Sequence, residues 1–244
     1  MNDLDILKSV FEGKELENAI EKYENGMPAA YIIGEWEFCG DKYFIDESCL
    51  IPRCDTERIV ESVLAHLPEN GMLADLCTGS GCIAISVLKR KKNAIGKAVD
   101  ISEKALAAAQ KNAVLNGVSD RLVFSHADVF TDTLANEKYD VIVSNPPYVT
   151  AVDMQKLDEY VQKEPATALF GGEDGMDFYR HIIPSYLKNL KKNGCMIFEI
   201  GYDQEEKIKA IANEHDLFCS VTKDYSGNPR VAFITINNSN TEEV

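Results

Sequence analysis

The run Tyr139-Asp140-Val141-Ile142-Val143-Ser144-Asn145-Pro146-Pro147-Tyr148 decides how the chain is read. Its first half is apolar and β-branched, the pattern of a buried strand. Two prolines then end any ladder, because neither carries an N–H. Asn145 precedes a proline and is pushed towards an extended conformation. The result is a stiff corner at the carboxyl end of a strand. It offers an Asn amide, prolyl carbonyls with no strand partner, and an aromatic ring. Open α/β sheets hold their ligands at that end. An Asn side-chain oxygen and a backbone carbonyl form two acceptors in a fixed relation, suited to a planar NH2 group with two hydrogens to give. A plain Pro-Pro turn with a capping Asn reads from the same residues.

Around this strand, strands and helices alternate. The strands expected are 72–76, 95–99, 121–125, 139–144 and 195–200, and the helices 81–91, 102–116, about 152–160, 176–190 and 203–214. Such alternation implies a parallel sheet covered by helices on both faces. Two further apolar runs, 217–224 and 230–236, flank Ser226-Gly227-Asn228-Pro229 and read as a closing antiparallel hairpin. Upstream, residues 3–24 read as one or two short helices with Asp3 as N-cap. The aromatic and β-branched stretch 29–46, with Tyr31-Ile32-Ile33, Trp36-Glu37-Phe38 and Tyr43-Phe44-Ile45 around Gly40-Asp41, reads as a β-hairpin. Asp55 or Thr56 caps a helix running to about Leu67. Arg53 ahead of it reads as an ion-pair partner. Lys89-Arg90-Lys91-Lys92 closes a helix, where cations complement the dipole.

Composition narrows the functional classes. With 244 residues, 45% of them hydrophobic, the chain is one sizeable domain with at most a small appendage. No stretch approaches the roughly 18 apolar residues of a membrane span, and the acidic start lacks a signal-peptide pattern. Seven cysteines, an odd number without a Cys-x-x-Cys pair, suit reduced thiols in the cytosol. The four histidines have no metal-ligand spacing, so no metal site is expected. A formal charge of −15 argues against tight non-specific nucleic-acid binding, which needs a basic footprint, and leaves a local basic patch open.

The strand ends carry the ligand chemistry. Asp75-Leu76-Cys77-Thr78-Gly79-Ser80-Gly81 is a strand entering a small-residue turn and then a helix. Gly79 and Gly81 let backbone approach a ligand. The dinucleotide pattern would want a glycine where Cys77 stands and a third one further on. Asp75 would repel phosphate and could balance an amine. Asp100 ends the next strand, where a carboxylate can accept both ribose hydroxyls. Asp128 follows the third and could accept from an adenine amino group, with Val129 packing on the ring. A ligand bearing ribose and adenine but no phosphate is implied, and S-adenosylmethionine fits.

The chain resembles the class I S-adenosylmethionine-dependent methyltransferases, and among them is similar to the protein-(glutamine-N5) methyltransferases that modify peptide-chain release factors. The matching stretches are Ala30 to Gly34 with Glu37-Phe38, Leu50-Ile51-Pro52-Arg53 with Asp55-Thr56-Glu57, Asp75 to Gly81, Asp100-Ile101-Ser102, Ser144 to Val149, Glu164-Pro165, Gly171 to Gly175, Tyr179-Arg180, Glu199-Ile200-Gly201, and Asp224 with Gly227 and Arg230. The resemblance implies a Rossmann-like, mostly parallel seven-stranded sheet. It implies a short helical segment over 1–28, a β-hairpin linker over 29–50, the methyltransferase domain over 51–237 and a disordered tail over 238–244.

It also implies roles. Cys77, Thr78, Gly79, Ser80 and Gly81 would line the methionine part of S-adenosylmethionine, Asp100 would hold the ribose, and Asp128 and Val129 would border the adenine. Asn145 would meet cofactor and substrate. Asn145, Pro146, Pro147 and Tyr148 would clasp the glutamine of a Gly-Gly-Gln tripeptide, with Asn145, Pro146 and Tyr148 catalytic. The partner is then a release factor in the cytoplasm, with no membrane and no direct nucleic-acid binding. Alternatives are a ribosomal-protein glutamine methyltransferase and an adenine-amino DNA or RNA methyltransferase. Three departures stand out. Cys77 replaces a common glycine, a small-for-small exchange. Cys54 replaces a proline. The N-terminal helical segment is shorter than the family usually carries.

Overall fold

A computed structural model describes residues 2–131 and 134–237; the tail expected over 238–244 lies outside the described residues. The chain starts with helices α1 (Asp3–Val10), α2 (Gly13–Glu24) and α3 (Ala29–Ile33), then the hairpin β1 (Glu35–Phe38) and β2 (Asp41–Phe44). Helix α4 (Glu57–His66), β3 (Met72–Leu76), α5 (Cys82–Arg90), β4 (Ile95–Asp100), α6 (Glu103–Leu115), β5 (Leu122–His126) and β6 (Tyr139–Ser144) follow. Short helices α7 (Ala151–Met154) and α8 (Ala166–Leu169) lead to α9 (Asp177–Tyr186), β7 (Leu190–Glu199), α10 (Glu205–Glu214), β8 (Leu217–Lys223) and β9 (Pro229–Ile236).

Seven strands form one sheet in the order β5-β4-β3-β6-β7-β9-β8. Its pairs are parallel from β5 to β7, and β9 runs against both β7 and β8. The parallel sheet and the closing antiparallel hairpin are therefore as expected. Alternation along β6 distributes its side chains: Val141 and Val143 join the core against α4 and α5, with Ile59, Val63, Ile85 and Leu88. Ile142 points to the other face and joins Tyr179, Ile182, Ile208 and Ile211 of α9 and α10. Burial on both faces explains the unbroken apolar run.

The chain order reverses direction beside β3, with β4 on one side and β6 on the other. Leu76 is in register with Ser144, and the buried Ser144 hydroxyl donates to the Leu76 carbonyl at 2.7 Å. The glycine-rich turn and the Pro-Pro corner thus leave the sheet side by side, at the crevice where open α/β sheets bind ligands.

Several local expectations change. Asn2, not Asp3, caps α1, with a reciprocal capping box through Asp5. Tyr31-Ile32-Ile33 is helical. Ala29 and Ala30 favour a helix after Pro28, and Gly34 ends it in the left-handed conformation. Ala29 joins Leu7 and Ala19 in a small apolar cluster, so α3 packs with the first two helices. The hairpin turn is Cys39-Gly40, both at positive φ, as a two-residue type I′ turn requires. Asp41 already belongs to β2 and pairs with Lys89 at 2.5 Å. Thr56 does not cap α4 with its side chain. The helix expected over 152–160 is limited to α7, because Gln155, Lys156, Asp158 and Glu159 give it no apolar face to bury. Tyr160 instead stacks on Tyr23 of α2, ring centroids 5.1 Å apart. Arg53 is an ion-pair partner, as expected, and binds the buried Glu164.

Asn112, fully buried in α6, ties three elements together. Its carbonyl accepts from Phe44 N–H at 2.6 Å, and its amide donates to Phe44 O at 3.0 Å and Ser80 O at 2.9 Å. Orphaning buried backbone groups costs about 1–3 kcal/mol each. Asn112→Ala is therefore expected to remove roughly 3 kcal/mol or more, read as a lower urea midpoint at unchanged m-value.

Candidate active site

A cavity of about 740 Å³ opens over the ends of β3, β4 and β6, within the roughly 300–1,000 Å³ of small-molecule sites. Cys77, Thr78, Gly79 and Ser80 form one wall, Asp100, Asp128 and Val129 the next, and Asn145 and Pro147 a third. Gly79 has φ +55°, and a Cβ built on it meets no protein atom within 4 Å. The turn therefore leaves room for a ligand against its backbone. Asp100 braces it, accepting from Gly79 N–H at 2.8 Å and from Ser102 N–H at 2.9 Å. Burial pushes the Asp100 carboxyl upward, against those hydrogen bonds. Asp128 accepts from Phe130 N–H at 2.9 Å, and the Tyr186 hydroxyl holds the Val129 carbonyl from below at 2.8 Å. Phe130 and Phe178, 5.0 Å apart, complete this side.

The Pro-Pro corner is held from outside. Val149 N–H donates to Leu169 O at 2.8 Å, and Gly171 N–H to Val149 O at 2.9 Å. Gln204 donates to Tyr148 O at 3.0 Å. A Cβ on Gly171 would lie 2.5 Å from Pro147 O, and one on Gly175 would lie 2.3 Å from Tyr148 O. Glycine at these two positions is a requirement of that close approach. The Asn145 carboxamide makes no hydrogen bond to protein among the described residues, and the Pro146 carbonyl accepts none there. Opposite, Glu164 accepts from Ile51 N–H at 3.0 Å and binds Arg53, fixing the loop that carries Pro52 to the cavity rim.

Four residues singled out from the sequence stand off the wall. Asp75 is fully buried behind it, accepting from the Thr78 hydroxyl at 2.7 Å and Ala84 N–H at 3.3 Å, so it holds the turn rather than facing a ligand amine. Gly81, at φ +79°, caps α5; its Cβ would meet Ile85 at 2.9 Å, so it serves helix packing. Pro146 is buried between Asn145 and Pro147, which do line the cavity. Tyr148 is not among the residues that line the cavity, and it donates its hydroxyl to Glu199 Oε1 at 3.1 Å, which braces the corner. Cys77 sits at φ +58°. The exchange for glycine is thus not neutral, since that conformation costs a side-chain-bearing residue about 1–2 kcal/mol.

Sequence reasoning missed Thr56, Phe130, Phe170 and Phe178 as lining residues. The only signal was position: Phe130 follows Asp128 by two residues, and Thr56 sits in the Asp-Thr-Glu stretch. Among the described residues no His, Cys, Asp or Glu cluster fits a metal ion, and no helix is long and apolar enough to cross a membrane.

Burial lifts Asp75 from its ordinary 3.8 to about 7. Between these values the folded chain holds a proton that the unfolded chain has lost, so this group's contribution to stability declines as pH rises through the window and levels off above it. Raising the pH from 5 to 7.5 is expected to lower the wild-type urea midpoint relative to that of Asp75→Asn. Gly171→Ala forces Pro147 aside and is expected to cost about 1–3 kcal/mol, measured by the same unfolding assay.

A family model, the methyltransferase small domain, matches residues 56–170. The release factor glutamine methyltransferase of Aquifex aeolicus is 35% identical over 87% of this chain and 76% of its own length. That of Geobacter sulfurreducens is 38% identical over 84% of this chain and 72% of its own. Among solved structures, a ribosomal protein L11 methylase from Lactobacillus delbrueckii subsp. bulgaricus covers 75% of this chain and 80% of its own at 23% identity, with a TM-score of 0.55, a likeness of fold. Sheet order, cavity and the sequence likeness to these relatives agree: the chain belongs to the release factor glutamine methyltransferase family.

Proposed function

We infer that this protein transfers a methyl group from S-adenosylmethionine to the side-chain amide nitrogen of the glutamine in the Gly-Gly-Gln motif of peptide-chain release factors, in the cytoplasm where translation runs. The observation that carries this is the Asn145 carboxamide, on the wall of the cavity at a proline-stiffened strand end, with no protein hydrogen bond among the described residues. An amide nitrogen is a poor nucleophile, because its lone pair is delocalised. Two fixed acceptors answer that defect.

The residues present fit the cofactor. Cys77 to Ser80, with the open face of Gly79, would hold the methionine portion, Asp100 the ribose hydroxyls, and Asp128 with Val129 the adenine. When bound, S-adenosylmethionine would supply the methyl group: the S–CH3 bond breaks to leave a neutral thioether as the N–CH3 bond forms, and the methylated nitrogen gives up one proton to solvent. The chain's own part is positioning. Asn145 Oδ1 and the Pro146 carbonyl accept the two amide hydrogens and aim the lone pair. Orientation of this kind is worth at most about 7–11 kcal/mol. The same acceptors meet more positive charge on nitrogen as it attacks, so they favour the transition state over the ground state. Asp75 acts from behind, by holding Thr78 and the first turn of α5. We assign the methyltransferase unit to residues 51–237, with the helical segment and hairpin ahead of it.

Incubation with a purified release factor and S-adenosylmethionine is expected to add a single methyl group to the Gly-Gly-Gln peptide, read by mass mapping. Modification of ribosomal protein or bare nucleic acid instead would overturn the assignment. Asn145→Ala is expected to lower kcat about 100- to 1,000-fold, the usual scale for losing one preorganised polar group, with a much smaller change in cofactor affinity by calorimetry.

A further inference from the structure

Three stretches that carry the family resemblance lie outside the chemistry described so far: Asp55-Thr56-Glu57, Glu199-Ile200-Gly201, and Asp224 with Arg230. They meet directly behind the Pro-Pro corner. Glu199 ends β7 one residue beyond the partner of Ser144, so it stands beside Asn145 on the neighbouring strand. It is 2% exposed. Both carboxylate oxygens are committed: Oε2 accepts from the Thr56 hydroxyl at 2.7 Å and Oε1 from the Tyr148 hydroxyl at 3.1 Å. Its backbone carbonyl accepts from Tyr179 at 2.7 Å. Arg230, paired with Asp224 at 3.1 Å, donates to the next carbonyl, Ile200 O, at 3.2 Å.

A buried carboxylate without close pairing is expensive, and a tyrosine in the core needs no charged partner. We propose that Glu199 is a positioning residue for methyl transfer. It fixes Tyr148 from behind and Thr56 at the cavity wall, and through Tyr148 it sets the orientation of the Asn145–Pro146 acceptor pair. The corner has no N–H at Pro146 or Pro147 by which a neighbouring strand could hold it, so the side chains of Glu199 and Gln204 add to the backbone pairing of Val149. The brace works by accepting a hydrogen bond rather than by charge. Glutamine at the same place can still accept from Tyr148 while its NH2 donates to Thr56. Alanine cannot.

This inference rests on the proposed methyl transfer, and the test separates the two. Single-turnover rates would be measured with a release factor for the wild type, Glu199→Ala, Glu199→Gln, Tyr148→Phe and the Glu199→Ala/Tyr148→Phe pair, with S-adenosylhomocysteine affinity measured in parallel. Glu199→Ala and Tyr148→Phe are each expected to slow the methyl-transfer step tenfold or more, with affinity for S-adenosylhomocysteine changed less than twofold. Glu199→Gln is expected to recover most of the rate, and the pair to be no slower than the worse single variant, since both delete one brace. If Glu199→Ala does not fold, Tyr148→Phe removes the same hydrogen bond by deleting one oxygen. A rate within twofold of wild type in either variant, strict additivity, or a Glu199→Gln enzyme as slow as Glu199→Ala would overturn the inference. An inactive wild type would overturn the proposed function and this inference with it.

Discussion

Two consecutive prolines at the end of a buried strand remove two backbone donors, and much of the cavity is arranged around that loss. The chain beyond Ser144 cannot be held by a continuing ladder. It is held instead by the carbonyl and hydroxyl of Tyr148 and by both backbone groups of Val149. Gln204 reaches Tyr148 O, Glu199 reaches the Tyr148 hydroxyl, and the 169–171 backbone pairs with Val149. Each holder comes from a different part of the fold, and none is on the strand itself. The Pro146 carbonyl accepts from no protein donor among the described residues, so the stiff corner also carries an unspent acceptor.

Electrostatics follow the same division between wall and support. Asp100 lies on the wall and stays braced by two backbone N–H groups. Asp75 and Glu199 are fully buried, and burial raises both. Each has hydroxyl donors that oppose the shift, Thr78 for the first and Thr56 with Tyr148 for the second. One Asp75 oxygen remains without a partner. A protonated carboxyl there leaves no buried charge to satisfy, consistent with its elevation to about 7. The acidic character of the chain is thus mostly a surface property, while its interior acids act as hydrogen-bond acceptors or as a neutral acid.

The sheet was legible because each strand announces itself twice, as an apolar run and as an acid or turn at its carboxyl end. Asp75 and Asp100 fall within the last two residues of β3 and β4, and Asp128 and Asn145 come just after β5 and β6, in the order read from the chain. Depth was not legible. Asp75 is the penultimate residue of β3 and Asp100 the last of β4; one lies behind the turn and the other lines the cavity. Asp75 is in register with Ala98 and Asp100 lies two residues further along, so the two share strand parity and differ in depth along the sheet, which has no residue signature. Nor does the sequence show that the Tyr148 hydroxyl meets Glu199, 51 residues away. The helix over Ala29–Ile33 was hidden by β-branched residues whose preference yields to Pro28, two alanines and Gly34. Cys77 kept a glycine-like backbone without a glycine.

The clearances at Gly171 and Gly175 bear on how the molecule is made. Residues 147 and 148 fit only against a segment that lies more than twenty positions later in the chain, and Gln204 later still. During synthesis, a nascent polypeptide that ends at Pro147 already carries Asn145 and both prolines, yet none of the later segments that hold them. Most of the wall, from Cys77 to Pro147, is written in the first two-thirds of the message. The segments that hold the corner, 169–171, Gly175 and Gln204, emerge from the ribosome later.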